Sequence, residues 1–158
     1  MLGMDLRRME KGDELWKIVA NEGLIALNQD ALGVQAKRLF TSKMTDASGK
    51  EGLKADQAYI RHNDRVDILA KPLADGSVAL SFINLSQNAK SEGYRISAAQ
   101  ILDGIGEKMA QKELFVKAKA YTVTDLWSKE TTQNTTGVFE VPSLEGCDNV
   151  TVKITPVK

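Results

Sequence analysis

The chain has 158 residues, enough for one domain or one domain with an appendage. Its 42% hydrophobic and 27% charged residues suit a soluble globular protein with a real core. Lysine plus arginine equals aspartate plus glutamate at 21 each, so no electrostatic footprint for nucleic acid or an anionic membrane is expected. No apolar run reaches the roughly 18 residues of a membrane-spanning helix. Cys147 is the only cysteine, which excludes an intrachain disulfide and argues against a cysteine-based metal site. That usage is compatible with a reducing compartment.

Residues 1–10 open on Met1, Leu2 and Met4, an apolar stub that reads as the end of a strand. It does not read as a signal peptide, because the stretch is short and its charges follow it. Residues 13–29 read as helical. Asp13 is a capping candidate, and Leu15, Trp16, Val19 and Ala20 recur near the helical period. Asn21-Glu22-Gly23 suggests a break, and Leu24, Ile25 and Leu27 begin a second short helix that ends near Asn28-Gln29-Asp30. Gly33 is the next punctuation.

Beyond Gly33 the pattern turns to strands. Residues 34–40 are a first candidate, residues 45–52 a polar loop, and Tyr59-Ile60-Arg61-His62 a short strand. Residues 66–73 and 78–85 flank Asp75-Gly76, which predicts a β-hairpin with a type I′ turn. Pro72 donates no ladder hydrogen bond and is expected at an edge or bulge. Tyr94 and Ile96 suggest a strand leading into Ala98-Ala99-Gln100-Ile101-Leu102. Residues 104–112 read as a short helix or irregular insertion, and residues 114–127 as renewed strand. Residues 131–137 read as a polar turn, and residues 138–142 and 150–154 alternate with period two. Several short strands with regular turns predict an antiparallel β-sandwich, mainly β in class.

The segment Met1-Leu2-Gly3-Met4-Asp5-Leu6-Arg7 resembles the last barrel strand of glycoside hydrolase family 27, the α-galactosidases and α-N-acetylgalactosaminidases. Ile25-Ala26-Leu27-Asn28-Gln29-Asp30-Ala31-Leu32-Gly33 resembles that family's Ile-Ala-Ile-Asn-Gln-Asp-Pro-Leu-Gly signature, with Ala31 in place of proline. Residues 68–77 are similar to its Val-Trp-x-Lys-Pro-Leu hairpin, and Thr124-Asp125-Leu126-Trp127-Ser128 to its Asp-Leu-Trp strand. The resemblance implies a division at residue 33. Residues 1–33 would be a short helical remnant of the last strand and helix of a (β/α)8 barrel, and residues 34–158 the family's C-terminal β-sandwich domain.

It further implies the chemistry of a retaining glycosidase, with two carboxylates about 5–5.5 Å apart across the scissile bond. In such a barrel they project from the carboxyl ends of strands. The family's two aspartates stand on earlier barrel strands, so the resemblance carries no catalytic residue onto this chain. No cofactor and no metal site is implied. The chain alone is expected to be inactive, with the catalytic barrel as its partner in the intact enzyme and an α-galactoside as the substrate there. Family members are often secreted or lysosomal.

Other residues give weaker candidates. Asp5 would follow the last barrel strand, but a local cap or salt bridge with Arg7 or Arg8 accounts for it. His62, Asp64 and Asp67 could orient an imidazole, yet no serine or cysteine nucleophile accompanies them, and a solvated turn is the plainer reading. Tyr59, Tyr94, Trp16 and Trp127 could offer faces to a sugar, although aromatics at such places usually serve a core or domain interface. The triplets Asn84-Leu85-Ser86, Asn134-Thr135-Thr136 and Asn149-Val150-Thr151 match the glycosylation pattern, with Asn84 and Asn149 expected inside strands. The alternative to a glycosidase portion is a non-catalytic module that binds carbohydrate or self-associates. For self-association the apolar lead-in (Met1, Leu2, Met4, Trp16, Ile18 and Val19) is the expected contact.

Overall fold

A computed structural model describes residues 10–42, 65–86 and 90–157. Helix α1 (Glu14–Val19) starts at Asp13, whose carboxylate accepts a hydrogen bond from the Trp16 amide at 2.6 Å. Helix α2 (Glu22–Asn28) starts at Asn21, whose Oδ1 accepts from the Leu24 amide at 3.1 Å. Each side chain satisfies an amide that the first helical turn leaves unpaired. The break between the helices falls at Ala20 and Asn21, and Gly23 lies inside α2.

The strands are β1 (Lys37–Thr41), β2 (Val66–Pro72), β3 (Val78–Asn84), β4 (Tyr94–Ser97), β5 (Ala120–Asp125), β6 (Thr131–Asn134), β7 (Val138–Val141) and β8 (Asn149–Val157). Among the described residues they make a six-stranded sheet, β1-β2-β3-β8-β5-β6, and a two-stranded sheet, β4-β7. Every pairing is antiparallel. Helices α3 (Ala98–Ile105) and α4 (Lys112–Lys117) extend the second layer, α3 against β1, β2 and β4 and α4 against β8. The expected strand at Tyr59-Ile60-Arg61-His62 lies outside the described residues.

Alternation along the strands sets the core. Ile68 and Ala70 of β2, Val78, Leu80 and Phe82 of β3, Tyr121 of β5 and Ile154 of β8 join one buried cluster. From the second layer come Ile96, Phe139 and Val141, with Ile101 and Ile105 of α3 and Phe115 of α4. Phe115, Tyr121 and Phe139 stack in series, with ring centroids 5.0 and 5.4 Å apart. Each fully buried large side chain contributes about 1.5–3 kcal/mol relative to exposure.

Four local expectations are corrected. Residues 98–105 are helix, not strand: Ser97 and Gln100 form a capping box, with bonds of 3.2 and 2.9 Å. Ile101 and Ile105, four apart, then face the core. Residues 112–117 are also helix, and β5 begins only at Ala120. The run Leu114-Phe115-Val116 is too short for its period to separate helix from strand. Residues 131–134 form an edge strand whose threonines bond across to β5, Thr131 Oγ1 lying 3.2 Å from Thr124 Oγ1. Its polar sequence conceals a strand because neither face enters the core.

The β2–β3 hairpin is present, but its turn is not type I′. Only Gly76 has positive φ, at 82°, while a type I′ turn needs two such residues. The Gly76 amide donates to the Leu73 carbonyl at 3.1 Å, and the Leu73 amide to that of Ser77 at 3.0 Å. This is a three-residue loop closed by a left-handed glycine. Pro72 ends β2 two residues past Ala70, the last β2 residue paired with β1, so no ladder bond to β1 is lost there.

Candidate functional site

The residues singled out in the sequence do not converge. Asp5, Tyr59, His62 and Asp64 lie outside the described residues. Asp67 is 6% exposed and sits between two cations, Arg38 at 3.3 Å and Arg65 at 3.4 Å. It is thus held in an ion-pair cluster on β2, and its Oδ1 has no hydrogen-bond partner among the described residues. Tyr94 packs against Phe40 with ring centroids 5.4 Å apart and planes tilted by 49°. Trp127 is partly exposed and its Nε1 donates to Asn149 Oδ1 at 3.0 Å.

The three sequon asparagines all have structural engagements. Asn84 ends β3 fully buried, and its Nδ2 donates to the carbonyls of Leu144 at 3.1 Å and Glu145 at 3.0 Å. Asn134 accepts from the amides of Thr136 and Gly137 at 3.1 and 2.9 Å, which builds the turn into β7. Asn149 opens β8 and accepts from Trp127.

Two surface features stand out. One is a cleft of about 580 Å³ between β1, β4 and α3, bordered by Arg38, Phe40, Tyr94, Arg95, Gln100 and Asp103. Its floor depends on Gly104: a Cβ there would stand 2.2 Å from Leu39 Cδ2, so the bare backbone lets Leu39 seat against α3.

The other is the seam between the lead-in and the sandwich. Asn21 is 8% exposed, and its Nδ2 donates to the Leu126 carbonyl at 2.8 Å. Gly23 lies against the same residue; a Cβ there would meet Leu126 Cδ2 at 3.2 Å. At the far end of α2, both carboxylate oxygens of Asp30 accept from the Ala74 amide, at 3.1 and 3.2 Å. Asp30 also accepts from the Leu32 amide at 3.1 Å. The Lys71 ammonium donates to the Val34 carbonyl. Gly33, with φ of 67°, turns the chain between these contacts.

The hairpin tip is braced from the other side as well. Lys153 Nζ lies 2.7 Å from Asp75 Oδ2, and Gln111 Nε2 donates to the Ala74 carbonyl at 3.2 Å. Burial alone would raise the Asp75 pKa, but the hydrogen bonds from Lys153 and Ser77 outweigh it and bring it down to about 2. Sequence reading missed this seam, although it quoted both halves: Asp30 lies in the Asn28-to-Gly33 signature and Lys71 in the hairpin motif.

The lead-in makes these contacts while leaving much of its apolar surface outside. Trp16 is 36%, Ile18 53% and Ile25 39% exposed, and no residue of α2 is buried.

Comparison with known proteins places this architecture. The family described as the alpha galactosidase C-terminal beta sandwich domain matches residues 63–146, more than half of the chain. Alpha-galactosidase A of Cellvibrio japonicus is 28% identical over 129 residues, covering 82% of this chain and 25% of that protein. Alpha-galactosidase 3 of Arabidopsis thaliana is 28% identical over 141 residues, covering 89% of this chain and 24% of that protein. The chain therefore spans about a quarter of the length of these curated relatives. Among solved structures, an α-galactosidase of Saccharomyces cerevisiae superposes with a TM-score of 0.61 at 14% identity, over 90% of this chain and 37% of that one. A family 27 β-L-arabinopyranosidase of Geobacillus stearothermophilus gives 0.58 at 18% identity, over 92% and 25%. The paired sheets, the hairpin and the matched segment agree, and the chain belongs to the α-galactosidase C-terminal β-sandwich domain family.

Proposed function

We propose that this chain serves as the non-catalytic sandwich of an α-galactosidase-type glycoside hydrolase, packed on a catalytic (β/α)8 barrel. In this reading residues 1–33 belong with the last strand and helix of the barrel, and residues 34–158 form the C-terminal domain. The catalytic carboxylates stand on the barrel, and residues 1–158 alone hydrolyse no α-galactoside. The observation that carries the reading is the lead-in: it is bonded to the sandwich at Leu126 and Ala74 yet turns Trp16, Ile18 and Ile25 outward. Large apolar side chains grouped on a short exposed segment suit a surface that another body covers. The curated relatives, both bearing the name alpha-galactosidase, supply the kind of body.

The test is to mix the purified chain with the separately produced barrel portion of a family member and follow aryl α-galactoside hydrolysis and barrel melting temperature. Hydrolysis by the barrel portion, with its melting temperature raised by the chain, supports the reading. A barrel portion indifferent to the chain at high micromolar concentration refutes it.

A second reading, self-association, is favoured by the same exposed side chains. Sedimentation velocity across a hundredfold concentration range distinguishes it: a concentration-dependent dimer that Trp16→Ser and Ile18→Ser abolish supports it, and a monomer throughout rules it out.

A further inference from the structure

Two sequence signatures 44 residues apart meet in space. Asp30, from the Asn28-to-Gly33 signature, takes the Ala74 amide of the hairpin, and Lys71 of the hairpin returns a bond to the Val34 carbonyl. At the opposite end of α2, Asn21 uses both ends of its amide. Its Oδ1 caps the helix, and its Nδ2 reaches the Leu126 carbonyl 105 residues away. Helix α2 is therefore tied to the sandwich at both ends by directed polar bonds.

Packing in this attachment is partial: Gly23, Leu24 and Leu27 are half-buried and no residue of α2 is fully buried. A helix held by packing alone would bury its apolar stripe fully. Directed bonds at two well-separated points fix an orientation with little burial, since hydrogen bonds weaken steeply when their geometry is lost. The bracing of the receiving hairpin by Gln111 and Lys153 gives one anchor a rigid footing.

We infer that Asn21 and Asp30 are positioning residues. They form a two-point latch that fixes the angle between the lead-in and the sheet, and thus the angle at which the sandwich meets whatever the lead-in joins. That last step rests on the barrel reading above; the latch itself belongs to these 158 residues and is tested without a barrel.

Two substitutions remove the ties and leave local structure in place. Asn21→Asp keeps a carboxylate able to cap α2 but sets an oxygen against the Leu126 carbonyl. Ala74→Pro deletes the amide that Asp30 accepts, at a turn position where proline is favoured. Cys147, exposed and the only cysteine, and Ala26→Cys, on an exposed position of α2, take a spin-label pair.

Double electron–electron resonance on the full chain should give one narrow distance distribution in the parent and a broad one in the Asn21→Asp/Ala74→Pro double variant. Amides of α2 should exchange about tenfold faster for each lost bond, while those of β2, β3 and β8 are unchanged. Asp13→Ala, which uncaps α1 only, should leave the distribution narrow. A distribution that stays narrow in the double variant overturns the latch. So does broadening accompanied by deprotection of the sheet, which would assign these residues to general stability. Neither outcome bears on galactoside turnover, so failure of the latch and failure of the barrel reading are separable.

Discussion

Asn84→Ala is expected to be among the most damaging single polar substitutions in the sheet. Asn84 is 2% exposed and ends β3, and both ends of its side-chain amide are hydrogen-bonded. Nδ2 donates to Leu144 and Glu145, and Oδ1 accepts from the Ser86 amide at 3.0 Å. Residues Leu144 and Ser86 are themselves buried, so their backbone groups lose a partner where water enters poorly. Losing the bond at the Ser86 amide costs about 1–3 kcal/mol, while the Leu144 and Glu145 carbonyls keep the Ser91 and Asp148 amides, so the two bonds there cost about 0.5–1 kcal/mol each. The total is about 2–5 kcal/mol. For a domain of this size that corresponds to a melting-temperature loss of about 10 °C. Urea denaturation and thermal melts of the parent and of Asn84→Ala measure it, with the exposed Asn28→Ala as a control expected to change little. The segment from Leu144 to Cys147 should also loosen, because the Cys147 amide bonds to the neighbouring Ser86 carbonyl at 2.7 Å. Faster thiol modification of Cys147 would report it. A loss below about 1 kcal/mol would show that buried polar satisfaction at this corner was overvalued.

Gly76→Ala should destabilise by about 1–2 kcal/mol, because φ is 82° and the new Cβ would meet Gln111 Cβ at 3.0 Å; an unchanged denaturation midpoint would contradict the turn described. Lys129 is exposed with φ of 63° and no packing role, so Lys129→Gly should stabilise by about 0.5 kcal/mol, and a lower midpoint would argue against backbone strain there. Asp75 falls from its ordinary 3.8 to about 2 in the folded chain. Its contribution is therefore present above about pH 4 and is lost as pH drops through about 2. At face value the shift is worth about 2 kcal/mol, but the side chain is 53% exposed and solvent screening reduces this to about 1 kcal/mol. Asp75→Asn should thus be less stable than the parent at pH 6, with the gap narrowing as pH falls toward 2; a gap that does not narrow on acidification would refute the assignment.

The strands that were legible in the sequence are those with one face in the core. In β2 and β3, residues such as Ile68, Ala70, Leu80 and Phe82 repeat with period two and are flanked by turn residues. The helices at 98–105 and 112–117 were misread because six to eight residues hold barely two helical turns. The capping box at Ser97 and Gln100 was nevertheless there to be read. Strand β6 was hidden by its polarity, since its stability comes from pairing with β5 and from threonine hydroxyls, which leave no hydrophobic pattern.

The hairpin illustrates a different gap. Asp75-Gly76 located it, but its turn is set by partners distant in sequence, with Asp30 holding the Ala74 amide and Lys153 the Asp75 carboxylate. The seam was likewise legible as two signatures and illegible as one contact, because nothing in a linear pattern says that Asp30 and Ala74 are neighbours. The aromatic candidates Trp16, Trp127 and Tyr94 could be weighed only by their neighbours in sequence, which do not show how far apart they stand. Their dispersion over helix, strand end and cleft follows from the topology.

The central claim is that these residues support an α-galactosidase without performing its chemistry. Aryl α-galactoside turnover by the purified 158-residue chain, measured across successive chromatography steps, tests this most directly. The account predicts release no faster than the blank. Turnover that co-elutes with the chain at constant specific activity through every step, and is absent from a mock preparation, would contradict it.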